Sequence, residues 1–92
     1  MDAYEVIDKV CGHFGLKRED VMAFDKSGYV CLARNFSYYF LHYEGDRLSI
    51  SKIAAIFGRK ERGVKKVLAV IKYLVATQRR YSSIYEEIKS SF

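Results

Sequence analysis

The sequence has no proline and no tryptophan, and it contains only two cysteines among 92 residues. Cys11 and Cys31 cannot build the disulfide framework that stabilises small secreted domains. No apolar run approaches the ~18 residues that a membrane-spanning helix needs. Residues 1–10 also lack the basic-then-apolar order of a signal peptide. These absences favour a cytoplasmic protein with reduced thiols and no membrane association.

The composition indicates one folded helical domain. Hydrophobic residues make up 50% of the chain, which is enough for one core, and the length is too small for two domains. Charged and aromatic residues are mixed along the whole length, which is not typical of a disordered tail. We therefore expect a single domain over residues 1–92.

Apolar residues recur at helical spacing through most of the chain, and no alternating strand pattern exceeds four residues. Asp2, Ser49, and Ser82 or Ser83 are predicted N-caps, whereas Gly15 and Gly58 are predicted helix ends. The sequence predicts an all-α, compact bundle of five to six helices. Their expected positions are 3–14, part of 16–24, 29–44, 50–57, about 60–80 and a short segment after the last cap.

Charge is strongly segregated along the sequence. Residues 1–46 contain five basic and eight acidic residues, whereas residues 47–80 contain ten basic residues and Glu61 alone, a net charge of +9. A surface that displaces counterions from a polyanion needs such a concentration of Lys and Arg. A solvated basic face on an ordinary domain is the competing interpretation.

The segment 49–76 is typical of a helix-turn-helix: a short helix, a turn at Gly58 and a longer helix beginning near Lys60. In that motif the second helix enters the DNA major groove, and its first turn meets base edges. Arg and Lys side chains suit that position because they reach guanine O6 and N7. We expect Arg59, Lys60 and Arg62 at the groove, with Gly63 allowing close approach of the backbone. The cations expected on or near phosphates are Lys52, Lys65 and Lys66.

Two stretches resemble the C-terminal DNA-binding domain of the DnaA replication initiators, a Trp-repressor-like helix-turn-helix family. The run SISKIAAIFGR at 49–59, followed by Val64, is similar to the family pattern S-L-x-E-I-G-x-x-F-G-R-D-H-S-T-V. The run VCLARNFSYYFL at 30–41 resembles the long-helix pattern V-x-x-A-R-Q-x-x-x-Y-L. With the helices expected in 7–21, the resemblance covers about residues 4–76. It implies sequence-selective binding of double-stranded DNA in replication initiation or transcriptional regulation.

The resemblance also implies roles for single residues. Ser49 and Ser51 begin the first helix of the motif, where the family's backbone N–H groups hold a phosphate. Arg59 matches the Arg that begins the recognition helix, and residues 60–63 fall where the family reads bases. There the chain has Lys-Glu-Arg-Gly in place of Asp-His-Ser-Thr, so the resemblance implies the scaffold and not the base sequence that is read.

Two further positions of the resemblance lie earlier in the chain. Lys26 lies near the family's basic loop, from which an Arg reaches into the minor groove. Arg34 matches the Arg of the A-R-Q motif at the start of the long helix. Lys52 departs from the pattern, because it replaces the Glu that would close a capping box with Ser49.

Other classes of function have weaker signals. His13 and His42 are the only histidines, and with the two cysteines they are not spaced as a metal site or as a nucleophilic pair. We expect no enzyme, no cofactor, no metal and no small-molecule substrate.

Two alternatives to a simple DNA-binding domain stay open. One is a protein-interaction module that uses a tyrosine-rich surface, and the other is a dimeric or winged repressor. Half-buried tyrosines are the favoured interpretation of the candidates for such a surface, which are Tyr38, Tyr39, Tyr81 and Tyr85.

Overall fold

Six α-helices form the regular structure of the computed structural model, which describes residues 2–23, 26–45 and 47–92. In chain order they are α1 (Ala3–His13), α2 (Arg18–Met22), α3 (Gly28–Tyr43), α4 (Ile50–Phe57), α5 (Glu61–Thr77) and α6 (Arg79–Lys89). No strand occurs in the described ranges, so the prediction of an all-α fold with five to six helices is confirmed. The segment predicted to contain α2 ends at Phe24, which lies outside the described residues.

Local capping interactions set several of the helix ends. The Asp2 carboxylate accepts a hydrogen bond from the backbone N–H of Glu5 at 2.9 Å, and the Ser49 hydroxyl accepts one from Lys52 at 3.2 Å. Gly15 and Gly58 adopt left-handed conformations with φ of 69° and 63°, which glycine tolerates without steric cost. The caps predicted at these four positions are confirmed.

The core is built around α3, against which α1, α2, α4 and α5 pack. Phe36 and Phe40 on this helix are fully buried. The ring of Tyr81 from α6 stacks on Phe36 at 6.4 Å, and Tyr85 stacks on Phe40 at 5.3 Å between centroids. The result is a compact body with principal extents of 30 × 28 × 24 Å. None of the described helices combines the length and the apolar character needed to cross a membrane.

The last helix begins earlier than predicted. Gln78 alone separates α5 from α6, and its extended backbone (φ −114°, ψ 119°) interrupts the helical path. Arg79 and Arg80 therefore begin α6 and do not end α5, as the sequence predicted. The early start is required by packing, because Tyr81, Ile84, Tyr85 and Ile88 face the core at helical spacing.

The four tyrosines considered for an exposed surface are packed into the fold: Tyr38, Tyr39, Tyr81 and Tyr85. Tyr38 is buried because its ring packs edge-on against Phe57 of α4, with 4.8 Å between the centroids. The other three are half-buried, as the favoured interpretation has it. These residues therefore do not form the exposed aromatic surface that the protein-interaction alternative requires. The tyrosines that are exposed lie elsewhere, at Tyr4, Tyr29 and Tyr73.

Candidate nucleic-acid interface

A tight turn joins α4 to α5 and fixes the direction in which α5 leaves. The backbone N–H of Gly58 donates to the carbonyls of Ala54 and Ala55, and the N–H of Arg59 donates to Ala54 at 2.9 Å. These bonds satisfy carbonyls that the end of α4 would otherwise leave without partners. Three residues, 58–60, separate the two helices. Burial of Ile53, Ala54 and Phe57 then holds α4 against the core and leaves the side that carries Lys52 exposed to solvent.

Helix α5 has one buried face and one solvent face. Val64, Leu68 and Ile71 are buried at i, i+4 and i+7, which is the spacing of a core-facing stripe. Arg62 and Lys66 are exposed and four residues apart, so they lie on one outward-facing side of the helix. The first two turns of α5 therefore present cations outward.

Most of the site residues predicted from the sequence are exposed in the structure. Lys65 lies on the same side of α5 as Glu61 and Lys72, which are four and seven residues away. This side is next to the one that carries Arg62 and Lys66. The exposed positions are Lys26, Ser49, Ser51, Lys52, Lys60, Arg62, Gly63, Lys65 and Lys66. Two positions, Arg34 and Arg59, differ from this set.

The α4–α5 basic surface consists of Lys52, Lys60, Arg62, Lys65 and Lys66. Within the described part of the chain, none of these five cations forms an ion pair with a carboxylate. Arg18 of α2 forms an ion pair with Asp8 of α1 at 2.7 Å, and the Nε2 of His13 on α1 lies 3.6 Å from a carboxylate oxygen of Glu87 on α6. The charge of the basic surface is thus not neutralised by these pairs, and it is available to an external anion.

Arg34 lies in the interior and not on this surface. It is 6% exposed, and its Nε and Nη2 donate to the carbonyls of Val21 and Ala23, each at 2.8 Å. Its Nη1 lies 3.6 Å from the Sγ of Cys31. The guanidinium ties α3 to the segment that follows α2. The structure therefore gives this side chain a role in stabilising the fold, and a DNA contact at Arg34 stays a prediction.

Arg59 joins the same segment to the beginning of α5. Its Nη2 donates to the Ala23 carbonyl at 3.1 Å, so that carbonyl accepts from two arginines. Arg59 is half-buried. The contact holds Ala23 beside the residues that lead into α5.

An open groove of about 420 Å³ runs between α3 and the beginning of α5. Asn35 and Tyr38 line it from α3, while Lys60, Gly63 and Val67 line it from the other side. The groove adjoins the basic surface through Lys60. The side-chain amide of Asn35 and the ammonium of Lys60 thus lie on the two sides of the groove, next to the first turn of α5.

Gly63 lies in this first turn, and the fold does not require a glycine there. A Cβ built on Gly63 meets no heavy atom within 4 Å, and its φ is not in the left-handed region. Glycine inside a helix costs roughly 0.5–1 kcal/mol relative to alanine. A missing side chain that packing does not explain, on an exposed cationic turn, is consistent with close approach by an external molecule.

We expect Gly63→Ala to change stability and nucleic-acid affinity in opposite directions. The free energy of unfolding should rise by up to about 1 kcal/mol. The affinity for duplex DNA should fall by about fivefold, the equivalent of ~1 kcal/mol, because the new methyl group holds the backbone away. Urea denaturation and fluorescence anisotropy measure the two quantities.

Gly12 provides the matched control, because it also lies inside a helix with open space around its Cβ position. Gly12→Ala should stabilise the fold and leave DNA affinity unchanged. If Gly63→Ala also left the affinity unchanged, close approach at this turn would be disproved.

Nucleophilic and metal-binding groups are poorly placed in the described residues. Burial raises the pKa of the Cys11 thiol to about 11, so this sulfur is protonated at neutral pH and is a poor nucleophile. No group of three or more His, Cys, Asp or Glu side chains is arranged there to hold a metal ion.

The sequence interpretation missed two residues of the solvent face of α5. Val70 is 52% exposed and Tyr73 is 65% exposed, on the side of the helix that carries Arg62 and Lys66. Their positions outside the apolar stripe of α5 were a usable signal.

Comparison of the chain with protein-family profiles and with curated proteins finds no match.

Proposed function

We propose that this protein binds double-stranded DNA with sequence selectivity, with α4 and α5 acting as a helix-turn-helix. The observation that carries the proposal is the α4–α5 basic surface, whose five exposed cations lack carboxylate partners within the described residues. The resemblance of residues 49–59 to the DnaA C-terminal domain supports the same function. Replication initiation or transcriptional regulation is the biological setting that this resemblance favours.

The proposed arrangement assigns each part of the basic surface a partner on the duplex. The first turns of α5 enter the major groove, where Arg62 meets base edges and Lys60 and Lys66 lie toward its walls. Lys52 and Lys65 face phosphates beside the groove. Ser49 and Ser51 place the beginning of α4 at another phosphate, since helix N-termini attract anions.

Three other predicted contacts have different roles in the proposal. Lys26 is exposed, and the resemblance puts it near the family's basic loop, so it is retained as a contact of the adjacent groove. Arg59 contributes mainly by holding Ala23, to whose carbonyl its Nη2 donates. Arg34 is not retained, because its guanidinium is buried and bonded to backbone carbonyls.

The salt dependence of binding tests the proposal. Each phosphate contact releases counterions from the duplex, so the association constant falls as the salt concentration rises. For about four to five contacts, the logarithm of that constant should fall with the logarithm of the salt concentration at a slope of about −4. Fluorescence anisotropy with a labelled random-sequence duplex between 50 and 200 mM salt, about the range where such contacts lose affinity steeply, measures this slope.

A slope close to zero, or no binding at low salt, would contradict the proposal. Lys52→Ala should make the slope less steep by about one contact, or ~0.9. Lys72→Ala removes the same charge from the same region, but the Lys72 Nζ lies over the ring of Tyr43 at 5.4 Å, toward α3. This control should leave the slope nearly unchanged.

A further inference from the structure

The outward-facing side of α5 changes character after its first two turns. Beyond Lys66 it presents no charge, although it is open to solvent. Val70 and Tyr73 are among the most exposed large hydrophobic residues of the described chain, at 52% and 65%. We call the exposed residues Ala69, Val70, Tyr73 and Ala76 the uncharged stretch. A solvent-facing helix surface ordinarily carries polar side chains, so this stretch suggests a partner.

Cations lie at both ends of the uncharged stretch. Arg62 and Lys66 precede it, and Arg79 and Arg80 follow it at the start of α6, all of them exposed. The sequence contains no Asp or Glu from residue 62 to residue 85. A partner that covers the stretch therefore has to present negative charge at both ends and apolar groups in the middle.

A second copy of the chain does not meet this requirement. In an antiparallel pair of α5 helices centred on Ala69 and Val70, Arg62 of one copy would lie opposite Thr77 of the other, within about one helical turn of Arg79 and Arg80 in sequence. A parallel pair would place each cation beside its own equivalent. Both arrangements bring like charges together, which is unfavourable.

A DNA duplex meets the requirement. Phosphates line both walls of the major groove, and the C5-methyl group of thymine is the apolar group on its floor. From Arg62 to Tyr73 the helix rises about 16 Å, which corresponds to about five base pairs at ~3.4 Å each. Tyr73 can thus lie several base pairs away from the bases near Arg62.

Resting on the proposed function, we infer that the uncharged stretch reads thymine methyl groups in the major groove. Val70 and Tyr73 supply the apolar contacts, while the cations at the two ends hold the phosphates. The preferred site then contains one or more thymines a few base pairs from the base pair that Arg62 contacts. Val70 and Tyr73 are specificity-determining residues in this arrangement.

The test compares duplexes that differ only in thymine methyl groups. A preferred duplex is first selected from a random pool with the full chain, and each thymine is then replaced by deoxyuridine. We expect the wild-type Kd to rise by about 3- to 10-fold, since an apolar contact with a methyl group is lost. The variant V70A/Y73A should bind the thymine duplex more weakly and no longer distinguish the two duplexes.

A matched control is Tyr4→Ala, which removes another exposed tyrosine on α1 and should keep the full discrimination. If the two duplexes bind wild-type protein equally and with a steep salt slope, the inference is overturned and the proposed function stands. If neither duplex binds, the proposed function itself fails, and the inference with it. Sedimentation that shows a dimer lost in V70A/Y73A would also overturn the inference, because the stretch would then be a self-interface.

Discussion

Replacing Arg62 with alanine is expected to raise the Kd for a preferred duplex by about 10- to 100-fold, the range of a lost bidentate contact to a base. Arg62 is exposed in the first turn of α5, and within the described residues it has no carboxylate partner. Its guanidinium is therefore not held by an internal ion pair, and it can donate two hydrogen bonds to guanine. Binding to random-sequence duplex should weaken much less, because other cations supply most of the phosphate attraction.

Arg62→Lys separates a base contact from a phosphate contact. Lysine keeps the charge but not the planar fork that fits O6 and N7 together. If Arg62 reads a base, lysine should recover little of the lost preference. If Arg62 only contacts a phosphate, lysine should restore nearly all of the affinity.

Lys72→Ala is the control for Arg62→Ala, since it removes one positive charge from the same helix. The Lys72 ammonium lies over the ring of Tyr43 and not on the outward-facing side of α5. Both variants should unfold at nearly the wild-type urea concentration, because both side chains are exposed. Equal effects of the two substitutions on selected and random duplexes would remove Arg62 from the groove.

The helix ends that could be predicted from the sequence are those that depend on short-range bonds. The Asp2 cap bonds a backbone group three residues away, and so does the Ser49 cap. Gly58 ends α4 through bonds to residues three and four positions earlier. Such interactions need only neighbouring residues, so their sequence signals survive in the folded chain. The exposed cations of α5 were predictable for a related reason, because the apolar stripe fixes which side of the helix faces the core.

The features that could not be predicted depend on residues distant in sequence. Arg34 bonds to Val21, 13 residues earlier, and Arg59 bonds to Ala23, 36 residues earlier. The periodicity of the sequence cannot show that the carbonyls of Val21 and Ala23 accept hydrogen bonds from guanidinium groups. The sequence therefore predicts Arg34 as a cation for DNA. Tyr38 was misjudged for the same reason, since its burial depends on Phe57 from another helix.

Replacing Arg34 with methionine is expected to lower the free energy of unfolding by about 2–4 kcal/mol, although methionine fills much of the same apolar volume. The substitution leaves the Val21 carbonyl without this donor, and an unsatisfied buried polar group costs about 1–3 kcal/mol. It also removes the bond from Arg34 to the Ala23 carbonyl, which then accepts from Arg59. Arg34→Lys should also destabilise the fold, because one ammonium cannot reproduce two donors in a fixed plane. Urea denaturation followed by circular dichroism measures both changes.

The DNA affinity of the Arg34→Met variant decides between the interior role and the role that the resemblance implies. Because Arg34 is 6% exposed and its guanidinium donates to backbone carbonyls, we expect no phosphate contact from it, and the folded variant should keep the wild-type salt slope. A phosphate contact at Arg34 would produce the opposite pattern: nearly wild-type stability and a slope less steep by about 0.9. Lys52→Ala provides the reference for that second pattern, since Lys52 is exposed and is expected to lie at a phosphate. We therefore expect opposite outcomes from substitutions that remove the same charge. Arg62→Ala should lower DNA affinity without changing the free energy of unfolding. Arg34→Met should lower the free energy of unfolding without changing the salt slope.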